Sequence, residues 1–288
     1  MAIRDYIRNP LEWGVDQVRT ASLAAERAGE SLRTPAGTPL PEVRRIELAD
    51  LGDALARGLG DFGAYRTDVI FLCIMYPLAG LLLAWLAFDH DLLPLVFPLA
   101  SGFALIGPVA AVGLYEISRR REQGVHITWA DAFGVVRAPA FGAILVLGLI
   151  LLAIFLLWLA AAYAIYLVTL GPEPPAGVGP FVRDVFTTGA GWALIIVGVA
   201  VGFLFALLVL TISVVSFPLL LDRNVGLYAA VATSARAVAA NPGPMAAWGL
   251  IVAGGLVLGS IPVFLGLIIV MPVLGHATWH LYRKVVPR

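Results

Sequence analysis

Near the end of the chain two histidines, His276 and His280, stand four residues apart in GHATWHLYRK. On a helix such a pair faces one way, and two imidazoles at that spacing can begin a metal site. A third ligand would have to come from Glu116 or His126. Trp279 and Tyr282 share the same stretch, however, and aromatic side chains of this kind gather where a helix leaves lipid for the headgroup layer. The expectation is an interfacial belt and no metal centre, with His276, His280 and Glu116 as the residues that would build one.

A second group carries charge. Asp222 and Arg223 follow PLLL, and Arg236 follows in TSARAV. These three residues are candidates for holding a lipid head group between helices, against the plainer reading of a capped interfacial helix with solvated charges. RRRE (119–122) reads as a topology determinant. No G-x-S-x-G, Walker loop, H-E-x-x-H, CxxC or haem-attachment motif is present. No catalytic residue and no cofactor is expected, only bound lipid. The single Cys73 lies in an apolar run and cannot form a disulfide within one chain.

Composition states what must position these residues. The chain has 288 residues, 60% of them hydrophobic and 13% charged, and its mean hydropathy is +0.91. A soluble domain is about 45–50% apolar and about 25% charged. Too little polar surface remains to coat a globule in water, so the chain reads as an integral membrane protein. Its formal net charge is zero, and nothing in it points to nucleic acid.

Crossing a bilayer takes about 20 apolar residues in a helix. Six stretches qualify: 69–88, 92–118, 139–170, 189–220, 243–259 and 261–282. The expected fold is therefore all-α and polytopic, with six transmembrane helices, short interfacial helices and an amphipathic N-terminal extension. With an even number of spans, 18 of the 19 basic residues fall on one side and only Arg183 on the other. Basic residues concentrate in the cytoplasm, so both termini are expected there, in a bacterial inner membrane. The first 66 residues lack a signal-peptide core, and the first span is expected to act as an uncleaved anchor.

The extension divides in two. Asn9-Pro10-Leu11-Glu12 reads as a helix start, and LRTPAGTPLPE (32–42) as a linker. Residues 1–40 are taken as a cytoplasmic extension and 41–288 as the membrane domain, led by an interfacial helix over 43–66. In that helix Leu48, Leu51, Leu55, Leu59 and Phe62 form the apolar stripe, with Arg44, Arg45, Asp50, Asp53, Arg57 and Asp61 on the opposite face. Two further short helices are expected within 126–139 and 221–244.

Residues 98–120 and 262–284 repeat a pattern: Pro98, Gly102, Pro108, Val109 and Arg119 fall on Pro262, Gly266, Pro272, Val273 and Arg283. Pro108 and Pro272 should bend their helices, and Gly102 and Gly266 should admit a close neighbour. The overlay also places Glu116 on His280, as if the two could face each other. Both copies run in the same sense, unlike the inverted repeats of many transporters.

From PEVRRIELADLGDALARGLGDFGAYRTDVIFLCIMYPLAGLLLA (41–84) through GPVAAVGLYEISRRREQG, ITWADAFG and SFPLLLDRNVGLYAAVATS, the chain resembles an uncharacterised family of predicted bacterial integral membrane proteins. That family is defined only as a domain of unknown function. The resemblance covers about 41–286 and implies a six-span domain, common in alphaproteobacteria, with no established activity. The functional expectation is a non-catalytic membrane protein that binds other membrane components. One version is an accessory or assembly subunit of a respiratory or photosynthetic complex, associating with other membrane subunits or with itself. The alternative is a permease for a small apolar or amphiphilic substrate.

Overall fold

The computed structural model of the chain describes Gly29 and residues 31–33, 39–89, 92–125, 134–136 and 138–288, without the side chains of 65–73, 75–76, 86–89 and Phe103. The expected helix from Pro10, the residues 126–133 of the expected short helix, His126 and Arg137 lie outside the described residues. Among the described residues every regular element is a helix, with no strand.

The helices are α1 (Leu48–Cys73), α2 (Met75–Asp89), α3 (Val96–Ala110), α4 (Val112–Glu122), α5 (Phe141–Thr169), α6 (Val178–Thr187), α7 (Gly189–Ser213), α8 (Ser216–Asp222), α9 (Leu227–Ala240), α10 (Pro242–Ser260) and α11 (Leu267–Val285). Among the described residues, four helical runs are long and apolar enough to cross a membrane: Leu93–Glu122, Phe141–Thr169, Gly189–Asp222 and Pro242–Ser260. These are the second to fifth expected spans. The first is divided at Ile74 between α1 and α2, and the last begins with turns over 261–266 before α11 starts. In that turn Val263 and Phe264 have φ of 52° and 63°, the left-handed region that side chains other than glycine rarely enter.

The fourth span is not one rod. Its helix breaks at Val214 and Val215, just before Pro218, whose missing N–H leaves a carbonyl without its helical partner. The second span breaks at Ala111, three residues beyond Pro108. Pro272, in contrast, sits inside the continuous α11. Breaks of this kind separate the apolar lengths α3 and α7 from the short segments α4 and α8, whose residues 114–118 and 216–221 are buried.

The result is two zones. At one end α1, α4, α8, α9, the start of α10 and the second half of α11 pack into a buried core. Trp248, Trp279, Tyr282, Phe217 and Ile117 are among the largest fully buried side chains there. Beyond them α3, α5, α7 and α10 extend with apolar surfaces outward, including Leu149, Leu156, Phe203 and Leu250. Trp158 joins three of these helices. Its indole N–H donates to Ser101 Oγ at 2.9 Å, its ring lies 5.6 Å from that of Phe205, and a Cβ at Gly202 would sit 3.0 Å from it. A Cβ at Gly102 would sit 2.8 Å from the Phe155 ring, so the glycine is what brings α3 against α5. At the far end, α6 lies in the loop between α5 and α7. Thr188 caps α7 by accepting from Gly191 N–H at 2.9 Å.

The packed end is also tied together by backbone. Residues 39–47 form no helix, and α1 begins only at Leu48. Arg44 N–H donates to Val285 O at 2.8 Å. Buried Asn241 accepts from Ile46 N–H at 2.8 Å and donates to Arg44 O at 3.0 Å. Upstream, Ser31 Oγ accepts from Ala143 N–H at 3.0 Å, which satisfies one of the free donors in the first turn of α5.

Candidate functional site

The buried face of α1 is only partly the leucine stripe that periodicity suggests. Leu51 is buried and Leu55 and Phe62 pack partly buried against the core, but Leu48 and Leu59 are exposed, while Ala54, Gly58 and Asp61 are buried. The reason is the closeness of α11. A Cβ on Gly58 would lie 2.6 Å from Ala277 N, so small residues, not leucines, must line the contact. Lys284 meets Asp50 and Asp53 at one end of this pair, at 2.9 and 2.8 Å, and Asp61 meets His280 at the other. The two helices therefore run antiparallel. A similar approach seats α11 on α4, where a Cβ at Gly275 would sit 2.6 Å from Leu114 Cδ1.

These contacts carry Asp61, expected on a solvated face, into the junction of α1, α4 and α11, where it is 4% exposed. Ser118 Oγ donates to Asp61 Oδ2 at 2.6 Å. His280 Nε2 lies 2.9 Å from the same oxygen, and Arg121 Nη1 donates to Oδ1 at 2.6 Å. Ser118 Oγ also lies 2.8 Å from His276 Nδ1. His276 is fully buried, and its Nε2 has no hydrogen-bond partner. Burial pushes the Asp61 carboxyl up, but hydrogen bonds from His280 and Ser118 outweigh it and hold the group below the usual carboxylate value.

His276 and His280 thus share one helix face and converge on Asp61 and Ser118. Glu116 turns away from them. It is 3% exposed and takes Arg119 Nε and Arg120 Nε, both at 2.7 Å, instead of facing His280. Among the described residues no group of three or more His, Cys, Asp or Glu side chains could hold a metal ion. Sequence reasoning alone does not single out Asp61 and Ser118. A signal does exist in the series Leu51, Ala54, Gly58, Asp61, which falls on one helical face once small residues are counted as contact residues.

The other charged group opens on a cleft of about 410 Å³ lined by Gln123, Asp222, Arg223, Arg283 and Arg288. Arg283 is held on three sides. It donates to Asp222 through Nη1 and Nη2 at 2.7 and 2.9 Å, to Glu122 Oε2 through Nε at 2.9 Å, and lies 4.9 Å from the Trp279 ring centre. Tyr282 donates to Asp222 at 2.7 Å. Arg288 donates to Glu122 and Arg223 to Pro287 O. Arg236 lies apart from Asp222 and Arg223, donating to Pro41 O at 3.4 Å. Of the bend and packing residues, Gly266 meets Gly259, its Cβ position 2.7 Å from Gly259 Cα, which closes the turn between α10 and α11.

No curated protein and no solved structure matches the chain. The family match is narrower than the resemblance read from sequence. It includes Glu116, Ser118, Arg121 and Asp222 but not Asp61, His276 or His280. Residues 96–222, which run from the first residue of α3 to the last of α8, match the family described as a predicted integral membrane protein, DUF2189.

Proposed function

We propose that this integral membrane protein acts without catalysis, by binding other membrane subunits as an accessory or assembly factor, with its packed, arginine-rich end in the cytoplasm of a bacterial cell. The observation that carries the reading is α7. Only 6% of the apolar window in Gly189–Asp222 is buried within the chain, against 29%, 33% and 22% for the other three spanning runs. Ile196, Val199 and Phe203 follow one another at helical spacing and are 65%, 56% and 64% exposed. A helix so poorly covered by its own bundle has room for a helix from another subunit, and Gly198 on the same span offers open space for a close approach.

Orientation rests on the charge distribution. Arg121, Arg223, Arg236, Arg283, Lys284 and Arg288 all bond to partners at the packed end, while Arg183 lies on α6 at the other. The cleft beside Arg283 suits an anionic head group. The test is a photo-reactive residue at position 203, with position 152 on α5 as control, irradiated in native membranes. A protein crosslinked at 203 and absent at 152 supports the reading. Lipid adducts alone at both positions sink it and favour a self-contained permease, which flux assays in liposomes would then address.

A further inference from the structure

The hydrogen bonds around Asp61 fix where protons stand. An ionised carboxylate has none to give, and Asp61 receives Arg121, His280 and Ser118. Ser118 has one proton, and its 2.6 Å bond to Asp61 uses it. Its 2.8 Å contact with His276 Nδ1 must therefore be one in which the serine oxygen accepts. His276 then carries its proton on Nδ1, and the bare nitrogen is Nε2, the buried atom without a partner. The tautomer of an imidazole is set by the bond its other nitrogen makes.

We infer that His276, Ser118 and Asp61 form a proton relay, with His276 Nε2 as its interior acceptor for a proton carried by water and Asp61 as its terminus toward the packed end. The transfer balances without a redox partner. A hydronium gives a proton to Nε2 and leaves as water. The Nδ1 proton passes to Ser118 Oγ as the serine proton passes to Asp61 Oδ2. The products are His276 protonated on Nε2, an unchanged serine hydroxyl and a neutral Asp61 carboxylic acid, one proton richer in total. The reverse transfer restores the starting state.

Geometry favours this over simple protonation of His276. An imidazolium at a fully buried position would bear a large desolvation cost. The relay moves the added proton to the carboxylate, so no buried cation persists. The groups that face His276 support the same direction. Asp61 on α1 draws a proton, while Arg121 on α4 and His280 on α11 oppose a positive charge on the ring. α10 contributes no ionisable side chain, and on α8 Asp222 is engaged by Arg283 and Tyr282. Asp61 is itself 4% exposed, and its partner Arg121, with a side chain 39% exposed, links it to the surface of the packed end.

The experiment is nitrogen NMR on full-length protein labelled with [15N]histidine in lipid nanodiscs. Four histidines are present, so substitution of His90, His126 and His280 to Gln assigns the His276 signal by elimination even where a His276 variant does not fold. At neutral pH the expected species is protonated on Nδ1 and bare on Nε2. The opposite tautomer overturns the inference at once. On acidification, in wild type and in Arg121→Gln, where Asp61 loses a cationic partner and protonates at higher pH, the proton should move to Nε2 in step with the infrared carbonyl band of protonated Asp61. In Ser118→Ala that coupling should be lost. A His276 tautomer that ignores Asp61 titration, or coupling that survives in Ser118→Ala, overturns the relay.

Discussion

Gly58 lies so close to Ala277 that the backbones of α1 and α11 touch: a Cβ on the glycine would stand 2.6 Å from Ala277 N and 2.8 Å from its Cα. The obstacle is main chain, which cannot rotate away. Ala favours a helix over Gly by about 1 kcal/mol, yet Gly58→Ala should lose net stability, because overpacking costs about 1–3 kcal/mol. Gly60, with nothing within 4 Å of its Cβ position, is the control. Thermal unfolding in detergent should show Gly58→Ala less stable and Gly60→Ala unchanged or more stable.

Asp61 is a buried acid held by Arg121, His280 and Ser118. Asp61→Asn leaves Arg121 and His280 without their carboxylate; a fully buried pair broken this way costs about 3–5 kcal/mol, and the 39% exposure of the Arg121 side chain should bring the loss below that range. Asp53→Asn, at a side chain 42% exposed, should have a small effect. Urea or heat denaturation of the two variants, compared under one condition, checks the contrast.

The same carboxylate sets a pH window. Its folded-state pKa lies below the usual value, so the folded state binds fewer protons at Asp61 than the unfolded chain does. Its contribution to stability is complete above about pH 5 and is lost as pH falls through about 3.9 and below. The melting temperature of wild type should fall across that range more steeply than that of Asp61→Asn.

Asn241 serves two backbone groups of the segment before α1, Ile46 N–H and Arg44 O. Asn241→Leu leaves both unpaired at a buried site, at a cost of about 1–3 kcal/mol. Because these bonds hold the backbone of residues 41–46 against the packed end, trypsin should cut faster after the already exposed Arg44 and Arg45 in the variant. Unchanged cleavage at these residues would show that other contacts hold the segment.

Ser31→Ala removes an acceptor from the first turn of α5. Loss of such a capping bond costs about 1 kcal/mol. Since this residue also ties the extension to the bundle, trypsin should cut faster after Arg33 in the variant, while the helical content of the membrane domain stays the same.

Much of the architecture is legible in the order of residues. Hydropathy locates α3, α5, α7 and α10, since lipid demands long apolar runs and self-satisfied backbones whatever the partners are. Thr188 caps α7 and Pro218 follows the break in the fourth span, because caps and missing donors act locally. The amphipathic α6 escapes such a reading, being only ten residues long, too short for a pattern to separate it from a loop.

By itself the sequence determined the solvent of this protein, the all-helical class and the gathering of basic residues at one end, all properties of composition and local spacing. Tertiary structure alone decided which face of α1 is buried and that Asp61 meets Ser118 and Ser118 meets His276. Those pairs are 57 and 158 positions apart along the chain. Their meeting depends on how closely Gly58 and Gly275 let three helices approach, a distance that no periodicity encodes.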